Sequence, residues 1–413
     1  MMRAARSLVR TSIGFVLTIV FLPMLIVLAF RARLRPHSID LGLGPEPLIN
    51  NIHFVAAARL SGLDTECYCY KTSHITADFD RVLSEDPPGP ARFLPLKKLW
   101  IHLFGFVWAI NRFKVLGISC HGGLLGRIPL LRAFEPMLLR LANVGTILLP
   151  YGSDVQHLER NPNPGFRAAL LKDYPGVEHD SGVIRRQVRR WKRHAGIVIN
   201  GCDWIDYLDR SDILTPGHFC IPRDLETTPP WKAPERFDHT RPLRILHAPN
   251  HPAIKGTVVL EEAVANLIDD GVPIELAIIK GCSNEEVRRA ISRCDLVVDQ
   301  LVIGWYAMFA LEGMAAGRAV VCRLREDLLT HYRQEGVISA EEPPLLDAGV
   351  VDIRDLLLDL VGKPEKICRI AEAGPDYVAR YHSLEVAGKR FRQIFHDLGI
   401  DTNEHSRREY FHA

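Results

Sequence analysis

Polar side chains follow two apolar segments in the first half of the 413-residue chain. His121 comes shortly after residues 115–119, and Asp154 comes shortly after residues 146–150. In an open parallel sheet, ligands bind beyond the carboxyl ends of the strands. A histidine placed there can act as a general base or contact a substrate hydroxyl, and an aspartate can orient the substrate or the base. We predict His121 and Asp154 as catalytic residues, and a turn or cap role is the alternative.

Lys255 lies in a polar stretch, residues 248–257, that follows the apolar segment 244–247 and leads into a predicted helix. A cation beside the free N–H groups of a helix N-terminus is suited to binding a diphosphate. The spacing is not that of a P-loop. The residues predicted to form this site are Asn250, His251, Lys255 and Gly256.

Glu312 lies among the small apolar residues of the segment 311–317. A carboxylate buried there needs hydrogen-bond donors, and the hydroxyls of a ribose would supply them. The alternative is a carboxylate on the surface of a helix. We predict that Glu312 belongs to the same site as Lys255.

Gly42 and Gly44 lie where a predicted strand, 38–41, turns towards a predicted helix over 50–60. A further strand over 66–70 completes a βαβ unit. The turn lacks the G-x-G-x-x-G pattern of dinucleotide-binding loops. Glycines at a strand end let a ligand approach the backbone, so we assign both to the acceptor side of the site. A simple tight turn is the alternative.

The densest run of positive charge, residues 185–194, has helical spacing, with Ile184, Val188 and Trp191 on one apolar stripe. It is either a solvated helix packed through that stripe or a surface that attracts anionic lipid headgroups or a lipid-phosphate acceptor. Nucleic acid is a poorer partner, because no aromatic platform accompanies the charges. The residues assigned to the acceptor or lipid side are Arg185, Arg186, Arg189 and Arg190.

Residues 13–30 contain no charged side chain, and all charged residues within 1–35 are arginines. A bilayer span needs about 17–25 apolar residues, so this segment is barely long enough. We predict an uncleaved membrane anchor over 1–36, with a signal peptide as the alternative. Pro23 leaves open whether the segment spans the bilayer or forms an interfacial hairpin. The apolar segment 99–110 is either a buried helix or a helix at the lipid interface.

The composition excludes several classes of protein. The 51 Lys and Arg against 49 Asp and Glu give a net charge of +2, which excludes a globally basic nucleic-acid binder. The hydrophobic fraction of 47% and charged fraction of 24% are ordinary for a globular chain. The nine cysteines show no zinc spacing and indicate reduced thiols. The D-x-D pattern at residues 78–80 follows no convincing strand, so we interpret it as chance and expect no metal.

Strand and helix patterns alternate regularly through the second half of the chain, after a Pro-rich stretch at 229–242. This alternation predicts a parallel, doubly wound sheet. The predicted strands are 244–247, 274–279, 296–299 and 319–322, and the predicted helices are 257–269, 284–292, 307–316.

The second half resembles the donor domain of family 4-type, retaining GT-B glycosyltransferases over residues 240–400. Over residues 38–225 the topology matches better than the residues do. The matching residues are His247, Asn250-His251-Pro252, Lys255-Gly256-Thr257, Leu296-Val297-Val298-Asp299, the run from Ala310 to Val321, Tyr377-Val378, Tyr381-His382-Ser383 and Val386-Ala387.

The resemblance implies an α/β fold of two Rossmann-like doubly wound domains facing a cleft, called GT-B, plus the N-terminal helix. It implies sugar transfer from a nucleotide-sugar donor without a metal cofactor, with Lys255 on the diphosphate and Glu312 on the ribose. The family has an acid that contacts the donor sugar where this chain has Gly304. The expected partner cation is replaced by Asn250 or His251. The implied domains are 1–36 (anchor), 37–228 (acceptor side), 229–242 (linker), 243–380 (donor side) and 381–413 (a helix crossing back, then the tail).

The leading hypothesis is a membrane-associated hexosyltransferase-like enzyme with its catalytic domains in the cytoplasm, where nucleotide sugars are found. Its partners would be a nucleotide-sugar donor, a saccharide or lipid-linked acceptor used in making an envelope polysaccharide, and the membrane surface. The alternative is a non-catalytic pseudo-glycosyltransferase that binds a nucleotide sugar or a partner enzyme, for which Gly304 is the main argument. A phosphorylase or an epimerase fits the predicted anchor less well.

Overall fold

The computed structural model of the protein describes residues 2–73, 76–94, 97–222, 231–232 and 234–402. The start of the predicted linker, residues 229 and 230, and the tail from 403 onward lie outside the described residues. Within the described parts, the strands form two parallel sheets.

The first sheet contains seven strands in the order β3-β2-β1-β4-β5-β6-β7. Its strands are β1 (Ile39–Leu43), β2 (Thr65–Cys69), β3 (Arg81–Val82), β4 (Phe113–Ile118), β5 (Gly145–Leu148), β6 (Ile197–Asn200) and β7 (Ile213–Leu214). The accompanying helices are α1 (Met2–Arg33), α2 (Ile49–Leu60), α3 (Lys97–Ile110), α4 (Leu131–Leu141), α5 (Pro164–Asp173) and α6 (Val177–His194).

The second sheet contains four strands in the order β11-β10-β8-β9. Its strands are β8 (Leu243–His247), β9 (Ile274–Ile278), β10 (Leu296–Val298) and β11 (Ala319–Val321). The helices are α7 (Pro252–Lys255), α8 (Thr257–Asp269), α9 (Asn284–Ile291), α10 (Met308–Ala315), α11 (Glu326–Gln334), α12 (Ile353–Gly362), α13 (Pro364–His382) and α14 (Leu384–Asp397). The chain leaves β8 in one direction and β10 in the other, so the switch point, where ligands bind in such sheets, lies between them.

Strand β1 extends two residues beyond its predicted end at 41, so Gly42 lies inside the strand. A Cβ at 42 would lie 2.7 Å from the ring of Phe113 on β4. A Cβ at 44 would lie 2.3 Å from the carbonyl oxygen of Tyr68 on β2. Both glycines therefore allow close packing between strands, and the predicted ligand contact through a turn at Gly42 is wrong.

Helix α1 packs on α3 and α4, with Leu25, Ala29 and Ala32 fully buried. The helix continues through Pro23, so the hairpin, one of the two alternatives for this segment, does not form at this proline. Packing against two helices offsets the one hydrogen bond that the proline cannot donate. Among the helices that the described residues form, none combines the length and apolarity needed to cross a bilayer.

Helix α3 resolves the two alternatives for the segment 99–110 in favour of a mostly buried helix. Five apolar side chains of this helix belong to the buried core of the protein. The shielded residues are Ile101, Leu103, Phe106, Ala109 and Ile110.

Helix α14 crosses back from the second domain and packs on α2. At the crossing, the N–H of Ile221 donates to the carbonyl of His382 (2.8 Å), and Nδ1 of His382 lies 2.9 Å from the carbonyl oxygen of Phe219. The two chain segments that connect the domains thus lie side by side. A Cβ at Gly388 would lie 2.4 Å from the carbonyl oxygen of Ala57, so the two helices are in backbone contact.

We expect Gly388→Ala to lower stability by about 1–3 kcal/mol, because α14 must move away from α2 to make room for the methyl group. The melting temperature of the full chain measures this. Gly362→Ala is the matched control, since nothing lies within 4 Å of a Cβ there. An equal effect of the two substitutions would contradict the close contact.

Candidate functional site

Asp154 is fully buried and joins the loops that follow the adjacent strands β4 and β5. Its carboxylate accepts hydrogen bonds from the N–H groups of Cys120 (2.7 Å), Tyr151 (2.9 Å) and Gly152 (3.0 Å). Burial raises its pKa, while these three bonds and the nearby His121 oppose the rise. Three backbone N–H groups bond to Asp154, which gives it a role in positioning these loops, and its catalytic role stays a prediction.

His121 is half-buried and lines a cavity of about 660 Å³ in the first domain. Its Nδ1 lies 2.8 Å from the hydroxyl of Tyr151, which fixes the ring. No described residue hydrogen-bonds its Nε2. The predicted residue therefore stands where a substrate hydroxyl can reach a ring nitrogen. The cavity is also lined by Glu46, Arg127, Arg132, Tyr174 and Gln187.

Glu135, on α4, is a buried carboxylate that sequence reasoning missed. It accepts from the N–H groups of Gly123 (3.2 Å) and Leu125 (2.8 Å), so it holds the loop that follows His121. Burial raises its pKa to about 7. Its position in an otherwise apolar stretch of α4 was the available signal.

Lys255 ends the short helix α7 at the switch point of the second sheet. Its ammonium pairs with the fully buried carboxylate of Asp299, which directly follows β10. The other oxygen of Asp299 accepts from the N–H of Ala307 at the start of α10 (3.2 Å). Lys255 is therefore paired with an internal carboxylate that also contacts the N-terminus of α10, whereas the predicted N-terminus was that of the helix following Lys255, α8.

Glu312, on α10, is only 3% exposed, which excludes the surface alternative. Nδ2 of Asn284 donates to its carboxylate over 2.6 Å. Burial raises its pKa to about 7, a nearby Asp299 adds to the rise, and Asn284 and Arg288 oppose it.

The loop 248–255 contacts the first domain directly. Nε2 of His251 lies 2.8 Å from the hydroxyl of Tyr174, a residue that also lines the cavity at His121. Asp173 accepts from the N–H groups of Ala253 (3.3 Å) and Ile254 (2.8 Å). The N–H groups of Ala253 and Ile254 in α7 are therefore bonded to the first domain, and α8 begins two residues after Lys255.

The other two residues predicted at this site have simpler surroundings. Asn250 is exposed. Gly256 has a φ of +74°, and a Cβ there would lie 2.9 Å from the Cβ of Leu301. Gly256 therefore permits the tight connection between α7 and α8.

Gly304 has a φ of +101°, and a Cβ there would lie 2.4 Å from Cγ of Arg325. The aliphatic part of the Arg325 side chain passes over the glycine, and its guanidinium pairs with Asp206 of the first domain (2.6 Å). The side chain that the family has at this position would occupy the path of Arg325. A second cavity, of about 970 Å³ and lined by residues of both domains, contains Arg325 and Val302.

The predicted basic helix exists as α6, with Ile184, Val188 and Trp191 buried. Arg185, Arg186 and Arg189 are exposed, while Arg190 is half-buried and donates to Gln187. The four arginines predicted for the acceptor side thus differ in their surroundings. Among the contacts of the described residues, Arg190 is the only one of the four that bonds to a residue lining the His121 cavity, Gln187. Gly42 and Gly44, also predicted for the acceptor side, do not line that cavity.

The described residues contain no group of three His, Cys, Asp or Glu that could hold a metal ion. The D-x-D pattern is explained by packing, because Asp80 accepts from the N–H of Cys67 (2.8 Å) and pairs with Arg59.

Two solved structures share the two-domain arrangement of this chain. HepE of Anabaena in complex with UDP-glucose matches with a TM-score of 0.55 and 11% identity, covering 87% of this chain and 100% of that chain. Sucrose-phosphate synthase of Thermosynechococcus elongatus matches with a TM-score of 0.58 and 12% identity, covering 88% and 99%. No protein-family model and no curated protein matches the chain.

The fold is GT-B. In the GT-B fold the carboxyl edges of the two sheets face a common cleft, and the contact between His251 and Tyr174 is one point where they meet.

We expect the stability of Glu312→Gln, relative to the native chain, to increase by up to about 3 kcal/mol as the pH rises from 4.5 to 7.5. The folded-state pKa of Glu312, about 7, lies above the value near 4.5 of an unfolded chain. The contribution of Glu312 to the stability of the folded chain is therefore fully present below pH 4.5 and is lost as the pH rises to 7. Glutamine does not titrate, so the difference in melting temperature between the two proteins isolates Glu312 from Glu135.

The matched control is Glu261→Gln, on the exposed face of α8. A pH-independent difference for Glu312→Gln would show that this carboxylate stays ionised in the folded chain.

Proposed function

We propose that the protein is a glycosyltransferase that moves a hexose from a nucleotide-sugar donor to an acceptor in the His121 cavity. The observation that carries this proposal is the contact of Tyr174 with His251. Tyr174 lines the cavity of the first domain, and His251 belongs to the loop that ends at Lys255. An acceptor hydroxyl at His121 therefore lies on the side of the cleft that meets the switch point of the second domain.

The donor site proposed here combines Glu312 and Lys255. The Glu312 carboxylate accepts hydrogen bonds from ribose hydroxyls, and Lys255 with the N–H groups of α10 stabilises the charge that develops on the leaving diphosphate. UDP-glucose bound to HepE, which shares the fold, supports a nucleotide-sugar donor. We propose that no metal is needed, because Lys255 supplies the positive charge.

The attacking acceptor hydroxyl must lose its proton. If the configuration is retained, as the family resemblance implies, an oxygen of the leaving diphosphate on the same face takes the proton and His121 orients the hydroxyl. If the configuration is inverted, Nε2 of His121 takes the proton itself. The proposal is retention, and the anomeric coupling constant of the product tests it.

We also propose that the protein docks on the cytoplasmic face of a membrane and uses a lipid-linked or envelope-glycan acceptor. The solvent side of α1 is an apolar ridge, formed by Val20, Met24, Val27, Phe30 and Leu34, all exposed. Exposed arginines at 31, 33 and 35 follow it, and such a combination favours an anionic bilayer surface. The opposite side of α1 is buried in the protein, so the ridge lies along the domain surface.

We expect the double variant Lys255→Met/Asp299→Asn to lose about tenfold or more in affinity for UDP, because a charged contact to the diphosphate is removed. Both charges are changed together, since Lys255→Met alone would leave Asp299 buried without a counter-charge, at a cost of about 3–5 kcal/mol. Calorimetric titration of the full chain with UDP, GDP and ADP measures the affinity, and exposed Lys389→Met is the control.

Unchanged affinity for all three nucleotides would contradict the diphosphate assignment. Binding of UDP-sugars without transfer to any acceptor would favour the pseudo-glycosyltransferase. In that case the ion pair of Arg325 with Asp206 would hold the two domains together for the binding of a partner enzyme, and no sugar would be transferred.

We expect Val27→Glu/Phe30→Glu to reduce the fraction of protein that sediments with phosphatidylcholine–phosphatidylglycerol vesicles by about tenfold, because two buried apolar contacts with lipid become charged. Val351→Glu is the control, since Val351 is 84% exposed on the second domain, far along the chain from α1. Equal sedimentation of all three proteins would contradict docking through the ridge.

A further inference from the structure

Three arginines stand together beside the His121 cavity. Arg132, on α4, lines the cavity, and Arg186 and Arg190 project from the neighbouring helix α6. Burial lowers the pKa of Arg132, and the charges of Arg190 and Arg186 lower it further. Within the described parts of the chain, no carboxylate lies within ion-pair distance of any of the three. The group is therefore a concentration of uncompensated positive charge.

The nearest acid does not neutralise this cluster. Burial lowers the pKa of Arg190, and Glu135 opposes this shift, but the oxygens of Glu135 are bonded to the N–H groups of Gly123 and Leu125. Its own pKa, about 7, leaves it partly protonated near neutral pH. Arg190 donates to Gln187 instead.

The cluster is connected to the proposed acceptor position. Nε2 of Gln187 donates to the carbonyl of His121 over 3.2 Å. Gln187 and Arg132 both line the cavity that His121 lines. An anion bound by the arginines therefore lies at the edge of the cavity in which a sugar hydroxyl would meet His121.

We propose that Arg132, Arg186 and Arg190 bind the phosphate or diphosphate of a phosphorylated acceptor whose sugar occupies the His121 cavity. The inference rests on the proposed function and names the substrate class of its acceptor side. Guanidinium groups bind phosphate oxygens in pairs, and three of them match the charge of a diphosphate. A phosphate brought into the cluster removes the mutual repulsion of the arginines.

The position of the cluster indicates where a lipid attached to that phosphate would lie. Helix α4, which carries Arg132, packs on both α6 and α1. The arginines and the apolar ridge therefore belong to elements that meet at α4. Leu130, which precedes α4, and Met137 on α4 are exposed apolar side chains. A prenyl-type chain leaving the phosphate would have these side chains and the ridge as apolar surface.

The experiment measures the binding of two probes to the full-length protein in detergent, with UDP at saturation so that the donor site is filled. The probes are inorganic pyrophosphate, for the phosphate group alone, and farnesyl diphosphate, for the same group on a lipid chain. The test variant is Arg132→Gln/Arg186→Gln. The control, Arg167→Gln/Arg193→Gln, makes the same change of charge at exposed positions of α5 and α6.

We expect the test variant to bind both probes about tenfold or more weakly than the native chain, and the control to bind them normally. The melting temperature of the test variant should be unchanged or higher, since repelling charges are removed, which excludes misfolding as the cause. Farnesyl diphosphate bound more tightly than pyrophosphate, with the excess lost in Val27→Glu/Phe30→Glu, would identify a lipid-linked acceptor. Equal affinity for both probes would identify a soluble phosphorylated saccharide.

Three results would overturn the inference. They are no probe binding by the native chain, equal binding by the native chain and the test variant, or an equal loss in the control. The affinity for UDP, measured first, reports on the proposed function separately. If UDP does not bind while probe binding still depends on Arg132 and Arg186, the phosphate site stands and the glycosyltransferase proposal fails.

Discussion

Backbone N–H groups in the loops at the carboxyl ends of both sheets bond to carboxylates that are buried or half-buried, and the site depends on these bonds. Asp154 and Glu135 hold the loops of the first domain, Asp299 holds the start of α10, and Asp173 joins the two domains. A buried N–H without an acceptor costs about 1–3 kcal/mol, so each bond stabilises one loop conformation. Because these carboxylates are committed to backbone, His121 is the side chain of the first cavity best placed to handle a proton.

The elements of the second domain follow from the sequence because helix periodicity is a local property. Helix α8 begins and ends at the predicted residues, and the neighbouring strands and helices differ from prediction by one residue at most at each end. The differences between prediction and structure lie at residues whose type is compatible with two structural roles. Gly42 was assigned to a turn, although close packing against Phe113 also requires glycine. Pro23 is compatible with either a continuous helix or a hairpin, and packing of α1 keeps the helix continuous.

The candidate site was only partly predictable, because residue types are visible in a sequence and their partners are not. Lys255 and Glu312 stand out by type, but Asp299, which pairs with Lys255, is 44 residues away along the chain. Glu135 has apolar neighbours in the sequence, but the N–H groups that it bonds to belong to a different segment of the chain. The glycine at 304 has its explanation in Arg325, whose path is set by Asp206 of the other domain.

The crossing of the chain beside His382 has a mechanical consequence. Two segments connect the domains, and the bonds of Ile221 and Phe219 to His382 place those segments next to each other. Two links at one place act as a hinge, which permits rotation about one line and resists sliding and twisting. The cleft therefore has essentially one way to open, and the same faces return to register each time it closes.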